Sequence, residues 1–418
     1  MPVQVDAASY GDVLAVRMLP SRTAAATRPA YHIALLLDTS GSMEGEPLEA
    51  VIRTLHLLID GMADYDVLSI IQYANSGTIL AHAVQIERAA RDHLHTVVEG
   101  LTAEGGTNME AAFETLGMVA LTLSVDAVFL MTDGYVNVGN TSSVGLLRIL
   151  SSQIPAGTPV NTLGYGAKHN SEMLRDMAVR SRGSYTYADS TELIPAIIGD
   201  IVGGLADQVG VNAVLTASMG GICVELGVDS EHPEIYRVGP LIDAKPQWVL
   251  FRGTGSPVQL TWREAGSDCS VVVAAATGVI NPLEIEEQVQ RVRLATIMTT
   301  VSRMLAYRNY TGAIGELLHC GHMLAMSPAV GRPFITRLQA QVDEMLEDVR
   351  CQQESLEPDQ DVAMLTRMVS NTTALGTQHG FFLSRNTTVE DPNVTSPFST
   401  PHQRNASAAM TQRFQDAM

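Results

Sequence analysis

The chain has 418 residues, and its 45 Asp and Glu against 26 Lys and Arg leave a formal net charge of −19. That length allows two or three domains with separate cores, and a field of that sign repels phosphate backbones and anionic bilayers, so nucleic acid and membrane surfaces are poor partners. No apolar run approaches membrane-spanning length, Val271–Ile280 being among the longest.

Met1–Pro20 lacks the cationic start and apolar core of a secretory signal, from which a cytoplasmic protein is expected. Residues 1–29 hold one strand-like run, Val13–Leu19, and an Ala/Thr/Pro linker over Thr23–Pro29. The strand is expected to pair with a later β-region. From residue 30 to 205 strands and helices alternate. Tyr31–Leu37 is an unbroken apolar run, the pattern of a buried parallel strand. Asp38-Thr39-Ser40-Gly41-Ser42 follows it and leads into Pro47–Met62, where Leu48, Val51, Ile52, Leu55, Leu58, Ile59 and Met62 recur at helical spacing. A strand is predicted over Val67–Tyr73 and a half-exposed edge strand over Thr78–Ile86. Gly105-Gly106-Thr107-Asn108 precedes a helical run through Ala112, Leu116, Val119 and Ala120. Ala127–Met131 is a second buried strand, closed by Thr132-Asp133-Gly134. Further strands fall at Pro159–Tyr165 and Ser184–Ala188. Such alternation implies an α/β fold with a doubly wound, mostly parallel sheet and helices on both faces.

Residues 206–280 are rich in Val, Thr and Gly, and short apolar runs such as Gln247–Phe251 and Val271–Val273 read as antiparallel strands of a flanking β-sandwich. At Asn281-Pro282, an N-cap followed by a first-turn proline, the period becomes helical. Helices are predicted from there through Leu305, then over Thr311–Met326, Pro333–Cys351 and Asp359–Leu375, giving a C-terminal helical bundle over 281–383. Residues 384–418, dominated by Asn, Thr, Ser, Pro and Gln, are expected to form a mobile polar tail, with Phe398 and Phe414 as its docking candidates. Cys223, Cys269, Cys320 and Cys351 are widely spaced without a Cys-x-x-Cys, which argues against a zinc site or a dense disulfide framework.

In a doubly wound sheet the loops after the strands ending near Asp38 and Asp133, with the Gly-Gly-Thr loop, surface on one rim, where such sheets bind ligands. Two carboxylates and three hydroxyls meeting there make an all-oxygen site suited to Mg²⁺ or Mn²⁺. With few charged ligands, the ion would keep positive character and open positions. Asp-x-Ser-x-Ser, a Thr after paired glycines, and Thr-Asp-Gly at a strand end together resemble the metal-ion-dependent adhesion site of von Willebrand factor type A domains. The resemblance covers the whole 30–205 span and implies that Asp38, Ser40, Ser42, Thr107 and Asp133 occupy the family's five metal-site positions. The order of regions, with Arg308–Ala313 in the helical part, also resembles proteins in which such a domain precedes the region called Vwaint.

No constellation supports catalysis. Asp38 lacks the second acid two residues on that haloacid-dehalogenase phosphatases require, since Ser40 stands there. A phosphate-binding Gly-x-x-x-x-Gly-Lys-Ser/Thr and a Gly-x-Ser-x-Gly elbow are both missing. His93 and His95 fall on a helix expected to be solvated, and His169 on a loop expected to be exposed. The chain therefore reads as a divalent-metal-dependent protein-binding scaffold that captures a partner's Asp or Glu carboxylate, with Met43, Glu44, Asn75, Asn108, Glu110, Tyr135, Val136 and Asn137 forming the rim that sets specificity. The alternatives are a structural subunit in which the metal only staples loops and, more remotely, a metal-dependent hydrolase. The sequence gives no indication of oligomeric state.

Overall fold

The structure, a computed structural model, describes residues 3–22, 30–155, 157–166, 169–188, 190–218, 220–225, 228, 231–253, 255–264, 267–276, 279–354, 358–378 and 398–416. The chain divides into two units. One is built from Met1–Ala26, Gln208–Thr387 and Ser396–Phe398, the other from Thr27–Asp207, Thr388–Thr395 and Ser399–Met418.

The chain opens in the first unit with β1 (Val3–Tyr10) and β2 (Val13–Pro20), an antiparallel hairpin whose turn uses Gly11 at φ +59°. It then enters the second unit, where the elements are β3 (His32–Asp38), α1 (Glu46–Gly61), β4 (Val67–Tyr73), β5 (Gly77–Gln85), α2 (Arg88–Glu99), α3 (Met109–Ala120), β6 (Ala127–Thr132), α4 (Ser143–Gln153), β7 (Val160–Tyr165), α5 (Ser171–Ser181), β8 (Tyr185–Ala188) and α6 (Ile194–Ala206). They form one six-stranded sheet in the order β5-β4-β3-β6-β7-β8, parallel except for the edge strand β5. Every residue of β3 and β6 is buried, as central strands covered on both faces must be. The helices begin where side chains satisfy their first amides: Asn108 accepts from Ala111 N, Ser142 from Gly145 N and Asn170 from Met173 N.

Back in the first unit come β9 (Gln208–Ala217), β10 (Ile222–Cys223), β11 (Ile235–Ile242), β12 (Gln247–Arg252), β13 (Val258–Glu264) and β14 (Ser267–Val273). Two antiparallel four-stranded sheets result, β1-β2-β12-β10 and β11-β9-β13-β14. Val16, Met18, Val249 and Phe251 from one sheet pack with Leu215, Leu260 and Trp262 from the other. The N-terminal hairpin is thus an integral part of the antiparallel region, β2 lying in register beside β12 from Val13↔Arg252 to Met18↔Gln247. α7 (Pro282–Ala306), α8 (Tyr310–Ala325), α9 (Pro333–Glu354) and α10 (Pro358–Thr377) follow. Their core runs through Leu294, Met298, Leu317, Leu338, Val342 and Met368. Asn281 caps α7 through Leu283 N, with Pro282 in its first turn.

The polar C-terminal stretch departs from expectation. Residues 401–416 form a helix, α11 (Pro401–Asp416), and the part of 384–418 before Phe398 lies outside the described residues. α11 lies against α6 with little large apolar surface, because the two backbones approach closely. A Cβ at Gly199 would stand 2.6 Å from Ser407 Cα, and one at Gly203 would stand 2.9 Å from Gln403 Cα. Polar side chains complete the contact: Gln403 donates to Asp200 O at 3.1 Å, Ser407 to Ala196 O at 2.8 Å and Thr400 to the Asp207 carboxylate at 2.9 Å. Close approach and satisfied hydrogen bonds replace the hydrophobic content whose absence suggested mobility. Phe398 meets Phe334 edge to face, with centroids 6.1 Å apart; the Phe414 side chain lies outside the description.

Candidate metal centre

Numbered within its own unit, the six-stranded sheet runs 3-2-1-4-5-6, so its direction of winding reverses between β3 and β6. Ligands bind open α/β sheets in the crevice at that reversal, beyond the carboxyl ends of the strands. β3 ends at Asp38 and β6 at Thr132, and the register Leu37↔Met131 sets these ends side by side. Thr39 N then bonds Tyr73 O at 2.9 Å and Gly41 N bonds Gly105 O at 3.0 Å, which brings the Gly-Gly-Thr loop over the same crevice.

Four of the five expected ligands are joined by a continuous chain of hydrogen bonds. Asp38 Oδ1 accepts from Ser40 N at 2.9 Å, Ser40 Oγ lies 3.1 Å from Ser42 Oγ, and Ser42 Oγ donates to Asp133 Oδ1 at 2.7 Å. Thr107 joins through Gly134. A Cβ there would lie 3.4 Å from Ser42 Oγ and 3.6 Å from Thr107 Oγ1, so both hydroxyls border the space that glycine leaves open. Asp38, Ser40 and Thr107 are buried and Ser42 is exposed, so the group opens to solvent on one side. Burial pushes the Asp38 carboxyl above its usual range; hydrogen bonds from Thr132 and Ser40 oppose that and the Asp133 charge adds to it. Burial likewise raises Asp133, against the Ser42 hydrogen bond. Among the described residues neither carboxylate has a Lys or Arg partner.

These oxygens fit a hard divalent cation. Adjacent ligands on an octahedral ion at about 2.0–2.1 Å stand about 3 Å apart, close to the 3.1 Å between the two serine oxygens. The donor set is two carboxylates and three hydroxyls.

The expected rim is only partly a rim. Met43 is 2% exposed and belongs to the core, because the short 3-10 turn Gly41–Met43 points its side chain inward. Glu44, Asn75, Tyr135 and Asn137 are exposed, while Asn108, Glu110 and Val136 are intermediate. Several act as braces: Asn75 Oδ1 accepts from Gly106 N at 2.9 Å, Asn137 Oδ1 from Thr107 N at 2.8 Å, and Glu110 Oε2 from Asn140 N at 2.8 Å. Asn108 caps α3 and donates to Asn75 O at 3.0 Å. Thr132 was not among the expected site residues, yet its hydroxyl donates to Asp38 Oδ2 at 2.6 Å. A hydroxyl closing an otherwise apolar strand, next to an acid, is the signal that marks it. His169 also differs from expectation. It is buried, Nδ1 against Gly166 O and Nε2 against the Tyr185 hydroxyl, both at 2.8 Å, and burial holds its pKa down to about 4. Its ring occupies the space beside Gly164, where any Cβ would collide with it.

A doubly wound sheet of this order with an oxygen-lined crevice at its switch point defines a ligand-binding α/β domain class. Residues 31–187 match the family described as von Willebrand factor type A domain, and that span of the chain is such a domain. A von Willebrand factor type A protein from Catenulispora acidiphila superposes on 88% of this chain and 96% of its own, with a TM-score of 0.64 at 15% identity, a likeness of fold. In sequence, uncharacterized protein YfbK of Escherichia coli is 28% identical over 168 residues, 39% of this chain and 29% of that protein. Human inter-alpha-trypsin inhibitor heavy chain H3 is 26% identical over 162 residues, 36% of this chain and 18% of that protein. The chain thus spans less than a third of the length of either relative.

Proposed function

We propose that the chain is a non-enzymatic, divalent-metal-dependent protein-binding scaffold. Asp38, Ser40, Ser42, Thr107 and Asp133 would hold Mg²⁺ or Mn²⁺, and a partner's Asp or Glu carboxylate would complete the ion's shell. The observation that carries this reading is the hydrogen-bonded chain from Asp38 through Ser40 and Ser42 to Asp133, open to solvent at Ser42 and, among the described residues, without a Lys or Arg partner for either carboxylate. When bound, the ion supplies an electrophilic position for an anionic oxygen.

The residues of the chain do the rest. Thr132 and the Ser40 amide fix the two Asp38 oxygens. Asn75 and Asn137 hold the backbone that carries Thr107. Exposed Glu44, Asn75, Tyr135 and Asn137 present the surface a partner would meet. Affinity capture from native lysate tests the reading. Partners retained in MgCl₂ should be released by EDTA and lost with Asp38→Ala while the variant stays folded by circular dichroism. Undiminished capture after verified metal removal would rule the scaffold out.

A further inference from the structure

α7 belongs to two cores of its unit, and a cavity opens where it passes from one to the other. Its N-terminal half packs Ile285 and Val289 with Val13, Ala15 and Leu250 of the sheet β1-β2-β12-β10, and its C-terminal half packs Met298, Val301 and Leu305 with α8 and α9. Between the two lies a cavity of about 660 Å³ whose lining comes entirely from the first unit. Val13, Val224 and Leu250 line it from the sheet side, and Val289, Val292 and Ile297 from α7. Gly11, Asp12, Arg252 and Arg293 are exposed, so the cavity opens to solvent along that edge.

Size and lining suit a small molecule. Ligand pockets are commonly about 300–1,000 Å³ and mostly apolar, with a few polar groups that fix orientation. The lining residues of α7 run from Glu286 to Ile297, about three turns and about 16 Å of helix, a length that suits a linear chain. The charged groups decide which chain. Asp12 is paired with Arg252 at 3.1 Å. Glu286 is buried and accepts from Gln290 at 2.7 Å and Ser327 at 3.0 Å, so the buried acid of the lining is already hydrogen-bonded. Arg293 is exposed and has no ion-pair or hydrogen-bond partner among the described residues. Burial and then Glu286 raise the Tyr10 pKa while the Arg293 charge lowers it, so the guanidinium acts on the polar end of this same cavity. An unpaired guanidinium at the mouth of an apolar cavity complements a carboxylate on an apolar chain, which it can hold through two parallel N–H donors. An ammonium group would be repelled by Arg293 and would find Glu286 engaged.

We propose that this cavity binds one linear aliphatic carboxylate, its chain against Val224, Leu250, Val289 and Val292 and its carboxylate on Arg293. Each methylene that the cavity takes from water strengthens binding about fourfold. Arg293 supplies the charge-assisted hydrogen bonds that separate an acid from an alcohol of equal length. The cavity lies in the other unit from the oxygen crevice and shares no residue with it, so the two sites are independent.

Isothermal titration of the full chain with decanoate below its micelle concentration tests the site, in EDTA so that the oxygen crevice takes no part. One equivalent should bind saturably. Octanoate, two methylenes shorter, should bind about fifteenfold more weakly. Decanol and decylammonium should each bind more than about tenfold more weakly than decanoate. Arg293→Gln should weaken decanoate by about tenfold or more and leave decanol unchanged, a selective loss that a merely structural role would not produce. Val292→Trp, which fills the cavity, should weaken all of these ligands. Circular dichroism checks that each variant is folded. Absence of saturable one-equivalent decanoate binding by the wild type, decylammonium bound as tightly as decanoate, or an Arg293→Gln variant that binds decanoate as the wild type does, overturns the proposal. Because Arg293 is exposed, its variant keeps the test decisive if Val292→Trp disturbs folding.

Discussion

Lowering the pH from 7 to 4 tests the burial of His169. In the folded domain its imidazole accepts a proton only near pH 4, because burial disfavours the cation, whereas in the unfolded chain it does so near the ordinary value of 6.5. Between these values the unfolded state binds the proton and the folded state does not, so stability falls as the pH is lowered. The contribution is intact above about pH 6.5, shrinks progressively towards pH 4 and levels off below it. A separation of about two and a half pKa units corresponds to about 3 kcal/mol. Urea unfolding at a series of pH values, wild type against His169→Gln, isolates it, since the other titrating groups are common to both. The difference in unfolding free energy should shift by about 3 kcal/mol in favour of the variant between pH 6.5 and pH 4. Parallel curves across that window would show that the imidazole is not buried as a neutral base, and the role assigned to Gly164 would fail with it.

Metal binding should stabilise the interaction domain: Mg²⁺ at about a hundred times its dissociation constant is worth about 2.7 kcal/mol. For a unit of this size that raises the melting temperature by roughly 5–10 °C in scanning calorimetry, a shift Ser42→Ala should reduce. In the other unit Arg291 and Glu225 form an ion pair at 2.7 Å with both side chains fully buried, the guanidinium also bonding Gln288 and Leu375 O. Arg291→Met strands the Glu225 charge and should cost about 3–5 kcal/mol by chemical denaturation, part of which Arg291→Met/Glu225→Gln should restore. Gly203→Val drives methyl groups into the α11 backbone at Gln403. Limited proteolysis should then cut within 401–416 faster than in the wild type, and equal rates would count against the close packing of α6 on α11.

The main sheet was legible because its strands carry two independent marks, continuous apolar runs and functional loops at their ends. Tyr31–Leu37 and Ala127–Met131 had to be central, and centrality places Asp38 and Asp133 on one rim. The loop braces were harder to read. Nothing about Asn137 in isolation shows that its amide oxygen holds the Thr107 amide, and Met43 looks available until the 3-10 turn points it into the core. His169 misled because a Gly-Ala-Lys-His sequence resembles an exposed loop, while the space that accepts the ring is made by Gly164 on a neighbouring strand. α11 was invisible for a related reason. Composition reports how much apolar surface a segment can bury, but not that two glycines on a distant helix let a Ser/Ala/Gln face approach to backbone contact.

The charge of the chain constrains how the proposed capture can work. A carboxylate donor approaching a protein of formal net charge −19 is repelled at long range, and the attraction of one divalent ion dominates only within the last few ångströms. Salt screens this repulsion over about 8–10 Å at physiological ionic strength, so the far field matters chiefly at low ionic strength. A partner that reaches the crevice quickly must therefore carry its acid on a neutral or basic surface, so that the remainder of its charge is drawn in while the carboxylate is delivered to the ion. For a basic partner the association rate, measured by stopped flow, should fall as NaCl is added, while the dissociation rate, set by the metal–carboxylate bond, stays nearly constant. An association rate that climbs with salt would mean that the partner is acidic throughout and that the ion acts alone against the field.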